Sequence, residues 1–209
     1  MKLASASFRD GGVIPAEFAF CAQDPAKHVT LSKNRNPALA WSDVPAGVRS
    51  FAILCHDPDV PSRGEDVNQE GRAIPASLAR VEFFHWVLVD LPATSPGVMA
   101  GEFASSVVAR GKDGPQAAHG ARQGLNGYTD WFAKDPEMAG DYFGYDGPCP
   151  PWNDAIPHRY VFTAYALDVA RLAVEGAFTG PQARAALDGH VLAQAAITGR
   201  YTLNPAVKI

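Results

Sequence analysis

Three runs of β-branched and aromatic residues constrain this chain more than any other feature. Ser50-Phe51-Ala52-Ile53-Leu54-Cys55-His56, Phe83-Phe84-His85-Trp86-Val87-Leu88-Val89-Asp90 and Arg159-Tyr160-Val161-Phe162-Thr163-Ala164-Tyr165-Ala166-Leu167 are apolar at successive positions. Successive side chains of a strand point to opposite faces, so strands of this kind are buried on both sides. They belong in the interior of a layered β-structure. Turn signals bound two of them: the first ends at Asp57-Pro58 and the second at Pro92. Ala16–Phe20 and Ala38–Trp41 read as weaker strands. The 19 glycines and 17 prolines are spread evenly, which suits many short elements joined by turns.

Two connections between these strands are long, 62–80 and 93–145. Loops of this size are usually functional or carry small elements of their own. The second is rich in glycine, asparagine and aromatic residues, and is expected to form a wall beside a site. Near the C-terminus the pattern turns helical. Thr179-Gly180-Pro181-Gln182 resembles a capping box with proline in the first turn, and Gln182–Leu187 with its alanines follows, stopped by Gly189. A second short helix is expected over Val191–Ile197, ending near Gly199. The expected class is mostly β, arranged as one domain over 1–209 with a helical tail.

Charge and cysteine content narrow the function. The net charge is −4 and no lysine or arginine run exists, which argues against nucleic acid as the main partner. No stretch approaches the roughly 18 apolar residues of a membrane span. The first residues lack the apolar core of a signal peptide. The three cysteines, Cys21, Cys55 and Cys149, are odd in number and widely spaced, which is neither a disulfide nor a zinc framework. A reducing, cytoplasmic location is the expectation. The nucleophile-elbow, zinc-protease, phosphate-loop, dinucleotide and dithiol motifs are all absent.

Polar clusters sit at the ends of the apolar runs or within them. Asp57-Pro58-Asp59-Val60-Pro61 follows the first, and its prolines stiffen the direction of the carboxylates. His85-Trp86 lies inside the second, where a buried histidine must find partners. Gly147-Pro148-Cys149-Pro150-Pro151 precedes His158-Arg159-Tyr160, and its rigid backbone could present amides to a ligand. Alternation places His158, Tyr160 and Phe162 on one strand face and Arg159 on the other. Each cluster alone has a bland reading: a capped turn, a satisfied core histidine, a stiff loop. Together, two imidazoles, a phenol and backbone amides supply donors for an oxyanion. An ionised carboxylate would repel that anion, so Asp57 is expected to orient a histidine and raise its pKa.

The order Asp57-Pro58-Asp59-x-Pro61, His85-Trp86-Val87, Gly147-Pro148-x-Pro150-Pro151 and His158-Arg159-Tyr160 resembles the phosphatidylethanolamine-binding protein family, in its bacterial, Raf-kinase-inhibitor-like branch. The resemblance runs from about Phe8 to Tyr201. Gly189-His190-Val191-Leu192-Ala193 and Gly199-x-Tyr201 are similar to the end of that branch. It implies a Greek-key β-sandwich of two antiparallel sheets with a shallow pocket for phosphate or a phospholipid headgroup. Carried over by residue, the pocket is Asp57, Pro61, His85, Gly147, Cys149, His158 and Tyr160. The family's eukaryotic members inhibit kinases or act as signalling scaffolds, which makes a kinase a partner to consider, and the bacterial branch implies a homodimer. No cofactor or metal is implied. Two segments depart from the compact eukaryotic pattern by their length: Pro61 to His85, and Leu91 to Gly147 with Asn126-Gly127-Tyr128 and Trp131-Phe132.

Two functional classes compete. One is a binding or regulatory module for a small anion. The other is an enzyme, such as a hydrolase using Asp57, His85 and His158 on a phosphorylated or anionic substrate. The same three residues could hold iron or zinc. No activated nucleophile is evident and the metal ligands would come from three separate segments, so the binding module is preferred. Within it Cys149 is expected as an exposed thiol on the pocket rim, more reactive than Cys21 or Cys55.

Overall fold

The computed structural model describes residues 1–209. The three apolar runs become its longest internal strands: β5 (Ser50–Pro61), β6 (Arg80–Pro92) and β9 (His158–Leu167). The preceding elements are short: β1 (Lys2–Ala4), β2 (Cys21–Asp24), β3 (His28–Leu31) and β4 (Leu39–Ser42). Between β6 and β9 lie β7 (Gly97–Val98), β8 (Arg122–Gln123) and the helical turn α1 (Tyr128–Trp131). The chain closes with α2 (Gly180–Ala186) and β10 (Val191–Tyr201).

A five-stranded sheet in the order β10-β9-β5-β6-β8 dominates. Its named pairings are all antiparallel. β9 returns from a long excursion to pair with the free side of β5, which is a Greek-key return. A three-stranded sheet, β1-β4-β7, and the β2–β3 hairpin lie outside it. The large sheet is covered on both faces, as its sequence demands. Ile53, Cys55, Trp86 and Leu88 enter one core with Leu39, Trp41 and Val98 of the smaller sheet. Their neighbours Ala52, Leu54, Val87 and Val89 enter a second core with Ala183 and Leu187 from and after α2. No helix is long and apolar enough to cross a membrane.

Helix α2 starts where the capping signal lies. The Oε1 of Gln182 accepts the Thr179 backbone N–H at 2.8 Å, and Gly189 adopts φ +77° beyond the helix end.

Three expectations are corrected. Val191–Ile197 is no helix but the first part of β10, paired along β9 from Leu167 to His158. Alanine is the best intrinsic helix former, but propensity is small beside tertiary context, and the hydrogen bonds offered by the β9 edge override it. Ala16–Phe20 holds a turn of 3₁₀ helix over Ala16–Phe18 rather than a strand. The Asp57-Pro58 step does not end β5. The strand continues to Pro61 through an irregularity of register between Asp57 and Val60, where the prolines lack ladder donors.

Candidate functional site

The far end of β5, the middle of β6 and the start of β9 lie side by side, so Asp57, His85, His158 and Tyr160 converge. All four are 3% exposed or less. His158 is held from both sides. Its Nδ1 lies 2.6 Å from Asp57 Oδ2 and its Nε2 3.1 Å from Asp154 Oδ2. A carboxylate only accepts, so both ring nitrogens carry protons and the ring is an imidazolium. Burial opposes that charge, but the hydrogen bonds it donates to Asp154 and Asp57 outweigh it and push the pKa up to about 9. The carboxylates are fixed in turn. Asp57 Oδ1 accepts the Asp59 N–H at 2.7 Å. Arg80 grips Asp154 with two nitrogens, at 2.5 and 3.0 Å. Arg159 does the same to Asp59, at 2.8 and 2.7 Å. Three carboxylates thus face three cations, and the cluster is neutral as a whole.

His85 is built differently. Its Nδ1 lies 2.7 Å from the Asp146 carbonyl oxygen and therefore donates to it. The Asp146 N–H returns a bond to the His85 carbonyl at 3.0 Å. Burial pulls the His85 pKa down, against the pull of Asp57 and of the Asp146 carbonyl. The ring is therefore neutral at pH 7, with its Nε2 lone pair free. Asp146 is itself wholly buried. Asn34 and Lys112 donate to one of its oxygens at 2.6 and 2.7 Å, and Asn126 to the other at 2.8 Å.

Tyr160 stands next to His85, ring centroids 5.0 Å apart in an edge-to-face pair. Its hydroxyl is buried and has no hydrogen-bond partner in the protein. Buried hydroxyls rarely go unpaired, and Tyr160 belongs to the lining of a cavity, so this orphan singles out a candidate place for a ligand group.

That cavity measures about 400 Å³ and has Asp57, His85, His158 and Tyr160 on its floor. Its walls are largely apolar: Phe20 and Leu31 from the β2–β3 side, Phe83 from β6, Trp131 and Phe132 at α1. Both long connections contribute, 62–80 through Arg63 and Val67 and 93–145 through Tyr128 and Met138. The size and character suit a small, mostly apolar molecule.

Of the residues expected at the site, Asp57, Pro61, His85, Cys149, His158 and Tyr160 line this cavity. Gly147 does not. Its N–H donates to Asn34 Oδ1 at 2.8 Å and its carbonyl accepts the Tyr128 hydroxyl at 2.9 Å. It supports the wall from behind and offers no amide to a ligand. A Cβ there would meet the Phe18 carbonyl oxygen at 2.2 Å, so only glycine fits. His158 also changes role: with both nitrogens taken it cannot donate to a ligand. Asp57 does orient a histidine and raise its pKa, and that histidine is His158.

The cysteine expectation is overturned. Cys21 and Cys149 form a disulfide across 128 residues of sequence, leaving Cys55 free and buried. The Pro148 carbonyl accepts the N–H groups of Phe20 and Cys21, which seats the loop against β2 and brings the two Cα atoms within 4.9 Å. Cys149 is therefore no reactive thiol. The case for a reducing compartment loses its ground, because such bonds persist mainly in oxidising ones.

Reasoning from sequence missed Asp154, Arg80, Asp146 and Asn34. Asp154 had a signal, lying four residues before His158. Asp146 had one too, standing directly before the Gly147 run, whereas Arg80 and Asn34 come from segments that no motif marks.

The fold and this site define a class: an antiparallel β-sandwich with an aromatic cavity over a histidine–carboxylate floor. The profile described as phosphatidylethanolamine-binding protein matches residues 4–202, and the chain belongs to that family. Its bacterial relatives include UPF0098 protein YbhB of Escherichia coli, 34% identical over 97% of this chain and the whole of the relative. A UPF0098 protein of Chlamydia trachomatis is also 34% identical, over 96% of this chain and 98% of the relative. Among solved structures, Escherichia coli YbcL, described as a new member of the mammalian PEBP family, superposes with a TM-score of 0.68. It is 27% identical, with 96% of this chain and 97% of that one covered.

Proposed function

We propose that this protein is a binding module for a small amphiphilic molecule whose polar head is a singly protonated oxyanion, such as a phosphate monoester. The orphan Tyr160 hydroxyl beside the free His85 Nε2 is the observation that carries the reading. Tyr160 offers a donor. His85 offers a lone pair when neutral and a second donor when protonated. A phosphate monoanion carries one proton and matches the first case, and a dianion with protonated His85 matches the second. Either way the complex holds one proton between head and imidazole. The apolar walls take the rest of the molecule, and family membership agrees with small-ligand binding.

An acid–base enzyme using Asp57, His85 and His158 together fits less well. Both nitrogens of His158 are saturated by carboxylates, so it has no site from which to exchange a proton with a substrate.

Octyl phosphate, titrated calorimetrically, tests the proposal. Tyr160→Phe removes one oxygen and should weaken binding about tenfold, the range for a hydrogen bond to a charged group. His85→Asn keeps an amide donor near the position of Nδ1 and deletes Nε2, and should weaken it at least as much. Unchanged affinity in both variants, with folding intact by circular dichroism, would refute this head-group site.

A further inference from the structure

Charge pairing around the cavity leaves one cation over. Asp57, Arg63, His85 and His158 are the acidic and basic side chains on its lining. His158 is spent between Asp57 and Asp154, and the supporting cations Arg80, Arg159 and Lys112 are paired with Asp154, Asp59 and Asp146. Arg63 alone has neither an ion-pair nor a side-chain hydrogen-bond partner. Its loop also carries Glu65, Asp66, Glu70 and Arg72, but none of these lines the cavity. Asp66 pairs with Arg72, and Glu70 with His28.

The loop that carries Arg63 is held in place over the cavity. The Asn153 side-chain amide donates to the carbonyls of Asp66, Gln69 and Arg72, and its oxygen accepts the Asn68 N–H at 3.0 Å. Asn68 in turn accepts the Trp152 N–H at 3.0 Å. Residues 66–72, just beyond Arg63, are thereby tied to the Trp152–Asn153 turn that follows Cys149, Pro150 and Pro151. Arg63 is exposed and stands at the mouth, whereas Tyr160 and His85 are buried at the floor. The same lining includes Phe20, Val60, Phe83 and Phe132, apolar surface that an alkyl body can cover.

We infer that Arg63 is a specificity-determining residue and that the natural ligand is two-headed. One oxyanion sits on Tyr160 and His85, an apolar body crosses the aromatic walls, and a second anionic group, a carboxylate or phosphate, meets the Arg63 guanidinium at the mouth. A planar guanidinium with free donors suits either anion. This rests on the head-group reading above and adds to it the second charge.

Two probes separate the two ideas: octyl phosphate, and the same alkyl phosphate bearing a carboxylate at its far end. Wild-type protein should bind the carboxylated probe about fivefold more tightly, the upper range for a solvent-facing ion pair. Arg63→Gln should abolish that preference and leave octyl phosphate affinity unchanged. Tyr160→Phe should weaken both probes alike and keep the preference. Equal affinity of the wild type for the two probes, or a preference that survives in Arg63→Gln, overturns the role of Arg63 while leaving the head-group site standing. Failure of both probes to bind the wild type removes the head-group site and this inference with it.

Discussion

Raising the pH should strip stability from this protein through one side chain, His158. In the fold its pKa is pushed up to about 9, against an ordinary value of 6.5. The difference, 9 − 6.5, at about 1.36 kcal/mol per pH unit is worth ~3 kcal/mol. Because the folded value is the higher one, this stabilisation is complete below pH 6.5, declines as pH rises, and is gone once pH passes 9. His85 works in the opposite direction. Burial lowers its pKa, so the fold loses stability when acid forces a charge onto it, below the 6.5 of the free side chain. The two effects occupy different windows and do not cancel. The measurement is urea unfolding at intervals from pH 6 to pH 10, on wild type and on His158→Gln. Glutamine cannot be charged, so the variant is less stable at pH 6, where Asp57 and Asp154 face each other without the cation between them. The stability gap between the two proteins should shrink by ~3 kcal/mol across the window. A gap that stays constant would show that His158 does not carry the charge. Nitrogen NMR of the imidazole gives a direct second reading, since both ring nitrogens should be protonated at pH 7.5.

Three further outcomes follow from the same geometry. Affinity for octyl phosphate should fall about tenfold per pH unit above pH 7, because the complex holds a proton that the ligand, with its second ionisation near pH 6, and His85 have both given up; calorimetry in buffers of different ionisation enthalpy should show uptake of one proton, and a pH-independent affinity rules out the shared-proton head. Native protein treated with a thiol reagent should show no reactive cysteine, since Cys55 is buried and Cys21 and Cys149 are bonded; rapid labelling of Cys149 without reductant would contradict the pairing. Gly147→Ala should cost about 1–3 kcal/mol in urea unfolding, because its Cβ would overlap the Phe18 carbonyl and push the Pro148–Pro151 wall outward; a neutral effect would mean that wall is not fixed.

What could be read from sequence divides along a physical line. Residues whose environment is set by their own strand were legible. The unbroken apolarity of β5, β6 and β9 announced burial on both faces, and alternation along β9 put His158 and Tyr160 inward and Arg159 outward, as found. What depends on chain segments meeting from far away was not legible. β10 lies beside β9 because β9 had an unpaired edge, a fact that no local window over Val191–Ile197 contains. Cys21 and Cys149 meet because the Pro148 carbonyl binds the backbone of β2, and 128 residues of separation hide that contact.

The same division explains why most of the residues named from sequence meet at one cavity while their hydrogen-bonding differs from what was expected. Spacing brought two histidines, a tyrosine and a carboxylate together, but a role depends on which nitrogen is left unpaired. At His158 two carboxylates consume both nitrogens and leave a charge with no free donor. At His85 a single backbone carbonyl consumes Nδ1, and what remains is a neutral ring with one free lone pair. The partner that separates the two cases is Asp146, which no motif near His85 announces. It is held by Asn34, Lys112 and Asn126 from three other segments, so its carbonyl is directed at His85 by the tertiary structure alone. The cation at the floor is therefore structural, and the groups left for the proposed head-group contact are the less basic histidine and the unpaired phenol on the same lining.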